Sequence, residues 1–232
     1  MQRARPHRAI LFDLFDTLCR IDEAIYLSGK AESATLLGVE PEAYLRIWIA
    51  AGDRSQTGLL PDVASRIRSV STELGVHPDE VTIRKVEELE LRALRSGTSL
   101  HADARPALEA VRALPGLKTA LVSNASSTGA LVYEWLGLAP FFDQAVFSFQ
   151  VGVVKPHPGI YQAACRSIGV PPVECLFVGD GNGGELDGAG ALGMTAVRIV
   201  RPVSLSPYRK GESERYDFSV DDLTRIVSLI RS

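Results

Sequence analysis

The sequence predicts an α/β protein: a doubly wound parallel sheet with an all-α segment inserted after its first strand. Two observations carry this. Short apolar runs without polar alternation recur along the chain, as strands covered by helices on both faces must. Between residues 19 and 97 that rhythm stops, and only helical periodicity remains. The strands are expected at 9–12 (AILF), 119–122 (TALV), 144–147 (QAVF), 175–178 (CLFV) and 195–199 (TAVRI). Helical patterns separate them at about 105–114, 127–136, 159–168 and 185–192, with a last one at 221–230 for which Asp221 is the expected N-cap. Strand alternating with helix implies right-handed crossovers and one layered core.

In the interrupting segment, helices are expected over 21–37, 41–51, 60–74 and 79–94, with Gly38, Gly52, Gly75 and Gly97 as their C-terminal stops. The expected division is therefore a core of residues 1–18 and 98–232 and a helical unit of 19–97. The stretch 201–215, rich in Ser, Pro and charge, reads as a surface loop.

Composition sets the outer bounds. The chain has 232 residues, 25 basic and 28 acidic side chains and a net charge of -3, with 46% apolar and 23% charged residues. These are soluble globular values, and collagen-like, disordered and coiled-coil classes are excluded. A chain of this length buries roughly 70% of its unfolded surface without help from disulfide or metal. The near-neutral balance argues against nucleic acid as a partner. Cys19, Cys165 and Cys175 have neither disulfide-framework nor zinc spacing. Cys165 and Cys175 read as core residues; Cys19, beside a carboxylate-rich turn, is a weak candidate for a reactive thiol. Asp13 and Asp16 break the only apolar stretch near the basic N-terminus, so it cannot serve as a signal-peptide core. No window is long and apolar enough for a membrane span, and the expected location is cytoplasmic.

Ligands of open α/β sheets bind beyond the carboxyl ends of the strands. In this chain the first strand runs into Asp13-Leu14-Phe15-Asp16-Thr17 and the second into Ser123-Asn124. Lys155-Pro156 comes a short loop after the third, and Gly179-Asp180, with Glu185, directly after the fourth. Each alone is an ordinary turn or cap. Together they gather carboxylates, a hydroxyl and a lysine at one sheet edge, a pocket suited to a hard cation and an oxyanion. A carboxylate is a competent nucleophile there when its charge is offset and its target polarised.

These four stretches resemble the motifs of the haloacid dehalogenase-like hydrolases. Ile10–Leu18 is similar to the first motif, Leu121–Asn124 to the second, Val154–Tyr161 to the third, and Leu176–Asp180 with Glu185 and Gly188-Ala189 to the fourth. The resemblance implies a Rossmann-like core with the helical segment at the place of a type-1 cap. It makes Asp13 the nucleophile, Ser123 a ligand of the transferring group and Lys155 the charge-stabilising lysine. A Mg2+ ion would be held by Asp13, Asp180, Glu185 and the backbone carbonyl of Phe15, with Thr17 and Asn124 among the substrate contacts. The implied partner is a small phosphorylated molecule, taken by a monomer or homodimer.

One position departs from the pattern. Two residues after the nucleophile the family's phosphatases carry an Asp that protonates the leaving group, and this chain has Phe15. Losing a general acid–base costs roughly 10²–10⁴-fold. Asp16 is next to it, but on an extended turn its carboxyl should point elsewhere. An aromatic residue here is a feature of members that cleave carbon–halogen bonds, because halide leaves unprotonated. Those members generally lack the acidic ligand that Asp180 supplies. Phosphoryl transfer with a good leaving group or slow turnover is the first expectation. Dehalogenation is the second, and non-hydrolytic binding of a phosphorylated ligand or partner the third.

The helical segment would exclude water and select substrate, moving about hinges near Arg20 and Ser99. Arg54, in the polar stretch 52–58, is the expected substrate-selecting arginine, with Arg20 and Tyr26 as further candidates. Trp48 and Trp135 read as core. The four histidines form no metal-binding pair.

Overall fold

The computed structural model describes residues 7–202, 205 and 208–230; the basic segment 1–6 lies outside them. Six parallel strands form the sheet. They are β1 (Ala9–Phe12), β4 (Lys118–Ser123), β5 (Gln144–Phe147), β6 (Cys175–Gly179), β7 (Thr195–Ile199) and β8 (Phe218–Val220), in the order β5-β4-β1-β6-β7-β8. β1 sits between β4 and β6, with Phe12 opposite both Leu121 and Val178. That register brings the carboxyl ends of the three strands carrying Asp13, Ser123 and Asp180 side by side.

The two-residue period of a strand splits β1 between two apolar layers. Ile10 and Phe12 pack with helices α6 (Ala104–Arg112), α7 (Ser127–Trp135) and α11 (Ile226–Ile230), through Leu108, Val132 and Ile226. Ala9 and Leu11 pack with α9 (Pro158–Ile168) and α10 (Glu185–Ala191), through Ile160, Ala164 and Leu186. A short helix, α8 (Ser148–Val151), follows β5. Helices on both faces of a parallel sheet make this an α/β, Rossmann-like core.

The intervening segment leaves and returns along a two-stranded antiparallel ribbon, β2 (Cys19–Ile21) and β3 (Thr98–Leu100), with Arg20 opposite Ser99. It contains α1 (Glu23–Leu37), α2 (Pro41–Ala50), α3 (Gly52–Gln56), α4 (Val63–Glu73) and α5 (Glu80–Gly97); α1, α2, α4 and α5 share their own apolar cluster around Tyr44, Ile67, Val70 and Val86. Asp22, Asp62 and Asp79 cap α1, α4 and α5 by accepting from the amides of Ile25, Ser65 and Thr82 at 3.0, 2.7 and 2.7 Å.

Several expectations are corrected. The stretch 52–58 begins as helix α3, so Gly52 opens a helix and Gly97 ends inside α5; of the four glycines only Gly38 and Gly75 adopt positive φ as stops. The last helix is capped by Asp222, not Asp221, and starts as a 3-10 turn over Leu223–Arg225. The strands β2, β3 and β8, three residues each, are too short to register as periodicity. Cys19 is fully buried and burial pushes its thiol up, so it is a core residue. Among the described residues no helix is long and apolar enough to cross a membrane.

The helical segment depends on close approach of α1 and α5. A Cβ on Gly29 would lie 2.3 Å from the Cβ of Ala93. Gly29→Ala should therefore lower the thermal midpoint despite its better helix propensity, by about 1–3 kcal/mol of overpacking. Adding Ala93→Gly should recover part of that loss. Additive effects in the double-mutant cycle would show the contact to be unimportant.

Candidate active site

Three strand ends build the site. Asp13 leaves β1 with its amide donating to the carbonyl of Val178 at 2.9 Å, which ties the turn to β6. The turn then reverses at Asp16, which takes a left-handed φ of 57° that Asp tolerates better than most residues. Lys155 is 4% exposed. Its ammonium donates to Glu185 Oε2 at 2.6 Å and to Asp13 Oδ1, so one lysine lies between two carboxylates from different strand ends.

Neighbouring groups hold that lysine. The Asn124 side chain accepts from the Lys155 amide at 2.7 Å and donates to the Lys155 carbonyl at 3.1 Å. Glu185 Oε1 accepts from the Gly181 amide at 3.0 Å. Gly179 must lack a side chain, because a Cβ there would meet Glu185 Oε1 at 2.1 Å.

The carboxylates exceed the charge available to offset them. Asp13, Asp180 and Glu185 are all buried, and one oxygen of each lies within 4.8 Å of the others, so they can hold a metal ion. Burial raises the Asp13 carboxyl above its usual range, Lys155 opposes it, and Asp180 adds to the rise. Burial also pushes Glu185 up to about 8, against the pull of Lys155 and with the help of Asp13 and Asp180. Lys155 itself is held up: burial opposes its charge, but Asp13 and Glu185 outweigh it. Burial is the larger cause of both rises, and the oxygen-only donor set of Asp13, Asp180 and Glu185 fits a hard divalent cation.

Arg209 enters the site without any motif to announce it. It comes from the stretch expected to be a surface loop, and its Nη1 lies 2.6 Å from Asp180 Oδ2 and 3.9 Å from Asp16 Oδ2. Residues 209–213 run against the loop after β6: the Lys210 amide donates to Asn182 Oδ1 at 2.9 Å, that of Gly183 to the Gly211 carbonyl at 2.9 Å, and that of Ser213 to the Gly181 carbonyl at 2.7 Å. On either side of Arg209, Tyr208 bonds through its hydroxyl to Tyr26 of α1, and Lys210 pairs with Asp53 of α3. Composition alone gives no sign of this strap.

A cavity of about 390 Å3 joins sheet and helical segment. Its sheet wall includes Asp13, Phe15, Asp16, Asn124, Lys155, Asp180 and Glu185; its helical wall includes Tyr26, Lys30, Trp48, Arg66 and Glu90. Asp16 therefore faces the cavity, contrary to the expectation that its carboxyl points away: the left-handed turn reorients it. Thr17 and Ser123, the latter at the end of β4, are both fully buried and absent from the wall, and the hydroxyls of both lack a partner among the described residues. Asn124 is on the wall, but both ends of its amide serve Lys155. Arg54 is exposed, donates to Ser69 at 3.0 Å and is absent from the wall, as is Arg20; the helix over 52–56 turns Arg54 outward while Ser55 and Gln56 face in. Trp48 serves both as core and as cavity wall.

This is the architecture of an α/β hydrolytic site with a carboxylate at the end of its central strand. The chain belongs to the haloacid dehalogenase-like hydrolases, whose family model matches residues 7–193. It is 28% identical over 244 residues to a glyceraldehyde 3-phosphate phosphatase of Methanopyrus kandleri, covering 97% of each chain. It is 30% identical to an (S)-2-haloacid dehalogenase of a Pseudomonas strain, over 84% of this chain and 86% of that one. The same fold is seen in the crystal structure of a phosphatase of this family from Thermococcus onnurineus, with a TM-score of 0.70 at 22% identity, covering 97% and 99% of the two chains. The protein is a hydrolase of this family.

The raised Glu185 carboxyl gives stability a pH dependence. A folded value near 8 against 4.5 for the free side chain means that the native state binds the extra proton. Its stabilising contribution is complete below about pH 4.5 and is lost as pH rises through about 8. Unfolding midpoints in chelator should fall across that window, and Glu185→Gln should flatten the slope. An unchanged slope in the variant would remove Glu185 as the cause.

Proposed function

We propose that the protein is a Mg2+-dependent hydrolase of small phosphorylated metabolites, acting through a phosphoryl-aspartate on Asp13. The observation that carries this reading is the buried set Asp13, Asp180 and Glu185, whose negative charge Lys155 and Arg209 do not fully offset. Phosphatases among the full-length relatives support it. Asp13, Asp180, Glu185 and the Phe15 backbone carbonyl would hold the ion, which supplies charge neutralisation for the transferring group.

An oxygen of Asp13 attacks phosphorus, an acyl phosphate forms on Asp13 and the bond to the leaving oxygen breaks. Lys155 counters the burial-driven rise of the Asp13 carboxyl and offsets charge on the phosphoryl oxygens. The unpartnered Ser123 hydroxyl is available to a phosphoryl oxygen. Water then attacks phosphorus and returns Asp13 as a carboxylate. Residues 19–97 act as the cap that closes the cavity, with the β2–β3 ribbon as its hinge.

Phe15 lines the cavity where a proton donor would stand, and its ring has no proton to give. Leaving groups that depart as stable anions, such as acyl phosphates, should be preferred. The same residue, with the dehalogenase relative, favours a second reading: attack of Asp13 on carbon with loss of halide, then hydrolysis of the ester.

A panel of phosphate monoesters, acyl phosphates and short 2-haloacids, with and without Mg2+, separates the two. Mg2+-dependent phosphate release, abolished by Asp13→Asn, is expected; metal-independent halide release would replace the first reading by the second. Phe15→Asp should raise turnover of phosphomonoesters with poor leaving groups by at least about tenfold, recovering part of the missing acid catalysis. No gain on any monoester would count against the phosphoryl site.

A further inference from the structure

The helical wall of the cavity carries its own charged cluster. Lys30, 4% exposed, pairs with Glu90 and lies 4.3 and 4.1 Å from the ring centres of Tyr26 and Trp48. Glu90 accepts at its other oxygen from the Tyr44 hydroxyl at 3.0 Å, so both of its oxygens are used. Arg66, on α4, remains. Its guanidinium lies 4.1 Å over the Trp48 ring, donates to the Trp48 carbonyl and interacts with the Tyr208 hydroxyl, while its Nε has no partner among the described residues. Among the described residues no carboxylate lies within ion-pair distance of Arg66, whereas Lys30, Lys155 and Lys210, the other cations on the wall, each have one.

Arg66 is half-buried and has no counter-ion beside the buried Lys30, so an anion at its guanidinium would gain a charge-assisted contact. The planar fork of the guanidinium matches an oxyanion. We propose that Arg66 anchors a second anion subsite, and that the substrate is a small organophosphate carrying another negatively charged group, a carboxylate or a second phosphate. This rests on the phosphoryl reading of Asp13 and extends it to the rest of the substrate. The phosphoryl group lies at the sheet wall and the second anion at Arg66, with Tyr26 and Trp48 flanking the carbon chain. Lys30 and Glu90 neutralise each other, which leaves Arg66 as the uncompensated charge of the helical wall.

Binding tests this without turnover. In the Asp13→Asn protein with Mg2+, calorimetry compares butylphosphonate, 4-phosphonobutanoate and butane-1,4-bisphosphonate. At least one of the two acid-tailed probes should bind about tenfold more tightly than butylphosphonate, the scale of one charge-assisted contact. Which of them gains shows whether carboxylate or phosphate is taken. Adding Arg66→Gln should erase the preference, and Arg66→Lys should keep part of it. Equal affinity for all three probes in the Asp13→Asn protein, or a preference that survives Arg66→Gln, overturns the subsite alone. If none of the three binds, the phosphoryl reading falls and the subsite with it.

Discussion

The site is organised by one buried lysine shared between two carboxylates. Lys155 is almost wholly removed from water, so it keeps its charge only because Asp13 and Glu185 stand against its ammonium. Removing Lys155 would leave two buried carboxylates without the cation they share, at roughly 3–5 kcal/mol. Much of the local structure serves that arrangement. Asn124 grips the lysine by its own amide and carbonyl, the Gly181 amide fixes Glu185, and Gly179 leaves room for the Glu185 carboxylate. Parallel pairing of β1 with β4 and β6 supplies the frame, because it alone sets the strand ends at the same height.

The same cluster explains why the site invites further positive charge. Arg209 supplies some of it to Asp180, and the strap that carries it also touches the helical segment through Tyr208 and Lys210. Three consecutive residues thus link the strand end to both α1 and α3. The helical segment and Asp180 are thus in contact through that one short stretch.

The core was legible because its signals are local and repeated. β1, β5 and β7 run over the residues their apolar runs marked, and β4 and β6 extend theirs by a residue or two, since a strand buried on both faces has to be continuously apolar. Asp13, Lys155, Asp180 and Glu185 were legible for a related reason: each follows a strand, and strand ends of a parallel sheet share one edge. The three-residue strands β2, β3 and β8 left no such trace. The direction of Arg54 was equally invisible: residues 52–56 form a helix that leaves it exposed, while Arg66, on α4, lies against Trp48 on the cavity wall.

Apolar periodicity and the residues after each run were therefore enough to specify a layered α/β core, its interruption by helices and the carboxylate–lysine chemistry at one edge. Folding in three dimensions settled which side chains spend their polar atoms on one another and which keep them for a ligand. Asn124 is consumed by Lys155, the Thr17 and Ser123 hydroxyls are buried without a partner among the described residues, Asp16 lines the cavity, and Arg209 arrives from a stretch without any motif. Spacing along a chain records which backbone element a residue belongs to. Ion pairing and the direction of a side chain depend on partners far away in sequence, here 142 residues between Asp13 and Lys155, and those partners meet only once the layers have packed.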